Sequence, residues 1–255
     1  MLLRFVGASA LLSCFALTGS GAAVGALDTC PKDILSCTRD DVDGCCSPKN
    51  GLVVLTQQWD TRVGPSDQFT MHGLWPDRCD GTYNGNRGCD PSRSYSNIAD
   101  IIRGLDSQLY ADMKTYWPSS KGDDNWFWEH EWTKHGTCVT TLNPSCYAEG
   151  TYTKHKEVID YFRKALELRS QYDIYTALEK HGIVPTLNKT YDIKHFKDAI
   201  KAEYGAEATL SCRGSQLQEV QIVFRVRGKA TYVPTDALRK DTCRKVRFAP
   251  KPVQR

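Results

Sequence analysis

VQIVFRVRGKATYV, residues 220–233, is the stretch that decides the fold class. Val220, Ile222, Phe224 and Val226 alternate with Gln221, Val223 and Arg225, the period of two that a half-buried strand requires, and residues 230–233 continue it as a hairpin through Gly228. Near the other end of the chain, residues 52–59 and 68–75 read as two more strands, parted by the turn-rich residues 62–67. In between the period is helical. Ile98, Ile101, Ile102, Leu105, Leu109 and Met113 recur at helical spacing, as do Val158, Ile159, Phe162, Leu166 and Leu168, and a third helix covers residues 193–204. Strands at both ends with helices grouped between them predict an α+β domain whose central, largely antiparallel sheet is packed by helices.

The first 26 residues read as a secretory signal: Arg4 gives a charged start, residues 5–17 an apolar run, and Val24 and Ala26 the small residues before a cut. That run is shorter than the roughly 20 residues needed to span a bilayer, so no membrane association is expected. The expectation is a soluble, monomeric domain of residues 27–255, exported to the extracellular space or to a vacuolar or lysosome-like compartment. No repeat or low-complexity linker divides it. Of 33 basic residues Arg4 leaves with the signal, so 32 face 30 acidic ones, and binding to a polyanion by net charge is not indicated. Any nucleic-acid chemistry must come from a local site.

Of eleven cysteines Cys14 lies in the signal, and the remaining ten form no C-x-x-C. Five disulfides in an oxidising compartment follow, and a zinc ribbon or dithiol redox site does not. Asn188-Lys-Thr is the only glycosylation sequon, because Asn143 precedes a proline.

WEHEWTKHGTC, residues 128–138, concentrates titratable groups. A zinc-protease helix would place two histidines four apart, but His130 and His135 are five apart, about 140° around a helix, so one should point away. The pairs that share a face are Glu131 with His135 and His130 with Lys134. One stripe joins a carboxylate to an imidazole and the other joins two potential cations, which suits proton transfer around an anion. Upstream, FTMHGLWPDRCDG, residues 69–81, puts His72 near the end of a strand. Alone, His72 and Trp75 read as packed core residues. Cys79 and Cys89 beside this segment, and Cys138 beside the other, suggest that both are held rigidly.

Together HGLWP and WEHEWTKHGTC resemble the two active-site segments of the ribonuclease T2 family, in its secreted fungal branch, and the cysteine pattern with DYF, LRSQY and VRG extends the resemblance over nearly all of the mature chain. The resemblance implies an α+β fold and cleavage of single-stranded RNA through 2′,3′-cyclic phosphates to 3′-phosphates, with no metal or cofactor and low base specificity. It also implies the pairings Cys30–Cys46, Cys37–Cys79, Cys45–Cys146, Cys89–Cys138 and Cys212–Cys243.

RNA carries its nucleophile, the 2′-hydroxyl, beside the scissile phosphate, so an enzyme must remove one proton, supply another and stabilise a phosphorane. Imidazole suits both transfers because its ordinary pKa lets one copy be neutral while another is charged. The resemblance assigns His135 as base and His72 as acid. Lys134 is expected to stabilise the charge that grows on phosphorus, and His130 to help hold the phosphate. Glu131 either orients His135 or, protonated, donates to a phosphoryl oxygen. Glu129 reads as structural or exposed.

With the motif, Trp75 becomes a stacking platform for a base, framed by Asp77 and Tyr83, while Phe127 either serves the neighbouring base or packs the core. A carboxylate at Asp77 favours a base with an amino group, adenine first. Arg239, Lys240, Arg244, Lys245, Arg247, Lys251 and Arg255 form a basic run that reads as a solvated tail, the alternative being added phosphate contacts. The alternatives are a secreted effector that keeps this fold and acts by binding RNA or a protein, and a zinc hydrolase. The intact set His72, His130, Glu131, Lys134 and His135 argues against the effector.

Overall fold

The computed structural model describes residues 30–252; the expected signal in residues 1–26 lies outside them, as does Arg255. The strands are β1 (Leu52–Gln58), β2 (Thr70–Asp77), β3 (Tyr191–Asp192), β4 (Thr209–Arg213), β5 (Gln216–Arg227), β6 (Thr231–Thr235) and β7 (Lys245–Val246). The helices are α1 (Ile98–Leu105), α2 (Ser107–Tyr116), α3 (Asp124–Lys134), α4 (Lys156–Gln171), α5 (Ile174–Lys180) and α6 (Ile193–Tyr204). The α+β expectation holds. The main sheet runs β2-β1-β5-β4, β6 pairs the far end of β5, and every pairing is antiparallel. Short β3 and β7 pair apart from it.

β5 departs from the half-buried strand expected for it, because Gln221 and Val223 are buried as well as Val220, Ile222 and Phe224. One face carries the main core, with Leu55, Met71, Leu74, Trp128, Trp132, Phe162 and Phe224 among its members. The other carries a small cluster of Leu52, Val54 and Val223, against which Trp75 and Cys37 pack. Cys37, bridged to Cys79, and Ala237 pack on that second face, and Leu238 and Arg239 lie beside Gln221, which is why alternation did not reach solvent.

The apolar pattern over residues 98–113 is two helices, broken at Asp106, whose extended backbone (φ −152°) stops α1 and whose carboxylate caps the Leu109 N–H of α2. β4 and α5 had no reading from the sequence: five residues of mixed polarity and seven residues of helix are too short to show a period. All five disulfides join the pairs that the resemblance implied. Among the described residues no helix is long and apolar enough to cross a membrane.

Candidate active site

β2 delivers His72 through a defect in pairing. Thr56 of β1 pairs with Gly73 and Gln57 with Met71, so His72 between them has no partner on β1 and forms a β-bulge. In an unbroken strand His72 would share a face with the core residue Leu74; the bulge turns it instead toward Trp75, 5.1 Å away between ring centroids. The Trp117 indole fixes the bulge by donating to the His72 carbonyl at 3.0 Å.

α3 supplies the second segment. Asp123 caps its start, and Trp128 and Trp132, one turn apart, are fully buried, with indole N–H groups donating to the carbonyls of Trp117 and Arg93. The helix ends at Lys134, and His135 is its C-cap. For that reason His130 and His135 both face the same cavity, against the expectation that one would point away. The chain then enters a 3₁₀ turn, Gly136–Cys138, clamped by the Cys89–Cys138 disulfide and by an Arg93 bond to the Thr137 carbonyl at 2.5 Å. Gly136 is required by space: an added Cβ would lie 2.3 Å from the Trp132 ring.

The two segments and the chain after β6 enclose a cavity of about 310 Å³ lined by His72, Trp75, Asp77, Tyr83, Asn86, His130, Glu131, Lys134, His135 and Arg239. Every proposed catalytic residue is therefore in one place. Phe127 is the exception among the sequence candidates. It packs against the main core and lines an adjoining cavity with His72, His130, Ser119, Lys121 and Trp126, so both of its alternatives describe part of its position. Glu129 is structural, accepting from the Asn97 backbone N–H and from Asn125 at 2.7 Å.

The electrostatics separate the two histidines. Burial, reinforced by the positive charges of Lys134, His130, His72 and Arg239, drives His135 down to about 2. Burial also acts to lower His72, but the hydrogen bond to Glu219 and the charges of Glu131 and Glu219 outweigh it, and the net shift is upward. His130 is lowered by burial and by Lys134. Burial lifts Glu131 to about 7, so this carboxyl holds its proton in acid. Its Oε2 accepts from Trp75 Nε1 at 2.9 Å, and no side-chain bond joins it to His135 among the described residues, so the group that it orients is the indole. The Lys134 ammonium makes no hydrogen bond or ion pair among the described residues and is available to an anion. A neutral imidazole, a charged one and an unpaired ammonium around one cavity can move protons at a phosphate. Among the described residues no three His, Cys, Asp or Glu side chains group as metal ligands do.

Trp75 is half-buried: it packs on the small apolar cluster, stacks on the His135 ring at 5.2 Å and still lines the cavity. Asp77 is buried and ion-paired through Oδ2 to Arg239 at 2.7 Å. Arg239 thus leaves the solvated run assigned to it, and so does Lys251, which is buried and donates to the carbonyls of Val63 and Gln68. Burial lifts Asp77 to about 6, and Arg239 offsets this only in part. Tyr83 stands 66% exposed at the rim with the Arg239 guanidinium 5.9 Å from its ring. Sequence reasoning missed Glu219, Asn86 and Trp126, the last stacked on His130 at 5.7 Å, and the pairing of Arg239 with Asp77. Only strand register could have flagged Glu219.

Known proteins resemble the chain over most of its length. A model of the ribonuclease T2 family matches residues 45–239. Ribonuclease Rh of Rhizopus niveus is 46% identical over 235 residues, covering 92% of this chain and 95% of that protein. Ribonuclease T2 of Aspergillus oryzae is 42% identical over 244 residues, covering 91% and 87%. The crystal structure of Actibind, described as a T2 ribonuclease, matches with a TM-score of 0.82 at 40% identity, covering 88% of this chain and 99% of that one.

Proposed function

The chain belongs to the ribonuclease T2 family and is a T2-type endoribonuclease, and from that premise we propose that it cleaves single-stranded RNA by transphosphorylation without a metal. His135 takes the 2′-hydroxyl proton, the 2′-oxygen attacks phosphorus, and His72 gives its proton to the departing 5′-oxygen. The product is a 2′,3′-cyclic phosphate, which water opens to a 3′-phosphate with the two roles reversed. Lys134 and His130 hold the phosphate, and protonated Glu131 donates to one of its oxygens. The observation that carries this reading is the opposite displacement of two imidazoles in one cavity, His135 toward the neutral form and His72 toward the charged one.

A base stacks on the free part of Trp75 under Tyr83, and the cavity at Phe127 takes the neighbouring base. Export as residues 27–255 is supported by the five disulfides, and exposed Asn188 is accessible to a glycosyltransferase. The deciding experiment is cleavage of an RNA oligonucleotide in excess EDTA, alongside the same oligonucleotide with a single 2′-deoxy sugar. Cleavage should persist in EDTA and cease only at the deoxy linkage. Scission at that linkage would refute the cyclic-phosphate route, and loss of all activity in EDTA would refute the metal-free one.

A further inference from the structure

His72 Nδ1 lies 2.5 Å from Glu219 Oε1, although the two are 147 residues apart in sequence. Their meeting is a product of sheet order. β1 stands between β2 and β5, and Gln58 of β1 pairs with Thr70 on one side and with Glu219 on the other. Two strand spacings, about 10 Å, therefore separate the backbones, a span that a glutamate and an imidazole close together. The bulge at His72 aims its ring into that line, and the second carboxylate oxygen of Glu219 lies 3.5 Å from Gln221 Nε2 on the same strand.

We infer that Glu219 is a positioning residue for the acid of the reaction: its carboxylate accepts the Nδ1–H of His72, so that Nε2 is the atom that delivers the proton to the 5′-oxygen. A carboxylate has only acceptors to offer, so at this distance the Nδ1 proton stays on the ring in both of its protonation states. Without that partner a neutral ring is free to place its proton on either nitrogen and to rotate, and burial acts against the charged form with less to oppose it.

The other groups facing His72 cannot replace it. Glu131 of α3 is bonded to Trp75 and keeps its proton in acid, Lys134 opposes the charge on His72, and His130 and His135 are themselves bases. Phe127, 5.8 Å away, and Trp75 offer only ring faces and edges. The role of Glu219 rests on the reading of His72 as the acid, but the bond itself can be tested independently.

The test compares wild type, Glu219→Gln and Glu219→Asp by NMR titration of the His72 ring, its signals assigned by their loss in His72→Phe, and by the pH profile of kcat/KM on a dinucleotide. In Glu219→Gln the His72 titration and the basic limb of the profile should both move toward acid by about one pH unit, with kcat down about 10- to 100-fold and KM little changed. Glu219→Asp, which keeps the charge on a shorter arm, should move both in the same direction by less and recover part of kcat. It also serves as the variant of record if the Gln protein does not fold. An unmoved titration, or a titration that moves while the basic limb stays, overturns the inference. If the wild-type protein cleaves no RNA, the functional reading fails, and the titration with the ring nitrogen shifts still decides whether Glu219 holds Nδ1.

Discussion

The Trp75 indole donates to Glu131 Oε2 at 2.9 Å, so the buried carboxyl of α3 is tied to the wall of the cavity and not to the imidazole one turn after it. Gly73 makes that contact possible. A Cβ there would sit 2.1 Å from Trp75 Nε1 and 2.2 Å from Glu131 Oε2, between donor and acceptor. Gly73→Ala is therefore expected to destabilise the protein by about 1 to 3 kcal/mol by overpacking and to lower kcat at least tenfold. Thermal unfolding and cleavage assays check both, and a fully active Gly73→Ala would show that the Trp75–Glu131 bond is dispensable.

His72→Phe and His135→Phe should each remove about 10²- to 10⁴-fold of kcat, the usual contribution of one proton transfer, and Lys134→Ala should cost less. A folded variant of either histidine that retained more than about a tenth of the wild-type rate would sink the assignment.

pH dependence follows from the signs of the shifts. Below 6.5 the competent form persists, because His135 stays neutral down to about 2, His72 is charged and Glu131 holds its proton up to about 7. As pH rises, Glu131 ionises at about 7 and His72, whose proton is held above the ordinary imidazole range, gives its proton up later than a free imidazole would, so kcat/KM should be high in acid and fall on the basic side. Stability carries the same signature. Folded Glu131 keeps a proton that the unfolded chain releases near 4.5, so its contribution falls as pH rises from 4.5 to 7. Glu131→Gln lacks that penalty, and its stability relative to wild type should grow across this window, by at most about 3 kcal/mol. Denaturation midpoints at several pH values measure it, and a constant difference would contradict the buried, protonated carboxyl.

How far the sequence reached depends on where each signal resides. Alternation at Val220–Val226 and helical spacing in α4 and α6 are local, and they gave those elements directly. The cluster on α3 was legible because His130, Glu131 and Lys134 lie within one segment. Three things were not legible. Val223 is covered by Cys37 and Ala237, and Gln221 lies beside Leu238 and Arg239, a tertiary effect that the local pattern does not carry. The bulge at His72 depends on register with β1. Glu219 and Arg239 enter the site only through strand order and the chain after β6, which their local sequence does not show.

The Cys89–Cys138 disulfide closes a loop of 49 residues and anchors the turn that follows His135. Replacing both cysteines by alanine should cost about 4 kcal/mol from loop closure and should lower kcat more than removal of Cys212–Cys243, which lies away from the cavity on β4. Equal losses of kcat in the two double variants would mean that the clamp has no special effect on His135.

Base choice turns on Asp77. Its Oδ2 is taken by Arg239, its Oδ1 has no partner among the described residues, and the cavity beside it is bounded by Trp75 and Tyr83. A base with an exocyclic amine, adenine above all, can donate to Oδ1 while it stacks on the indole, whereas uracil has no amine to offer. Asp77→Asn puts an amide where the carboxylate stood, so dinucleotides containing adenine should slow relative to the rest, while Trp75→Ala should slow all of them together. Arg239→Met tests the pairing from the other side. It removes the one charge that holds Asp77 down, so Asp77 should rise further above 6, and the ranking of dinucleotides should become more dependent on pH than in the wild type. The measurement is the set of cleavage rates for all dinucleotides at pH 5 and pH 8. A ranking that is the same in Asp77→Asn as in wild type at pH 8, where the carboxylate is ionised, would leave Asp77 only as the counter-ion of Arg239.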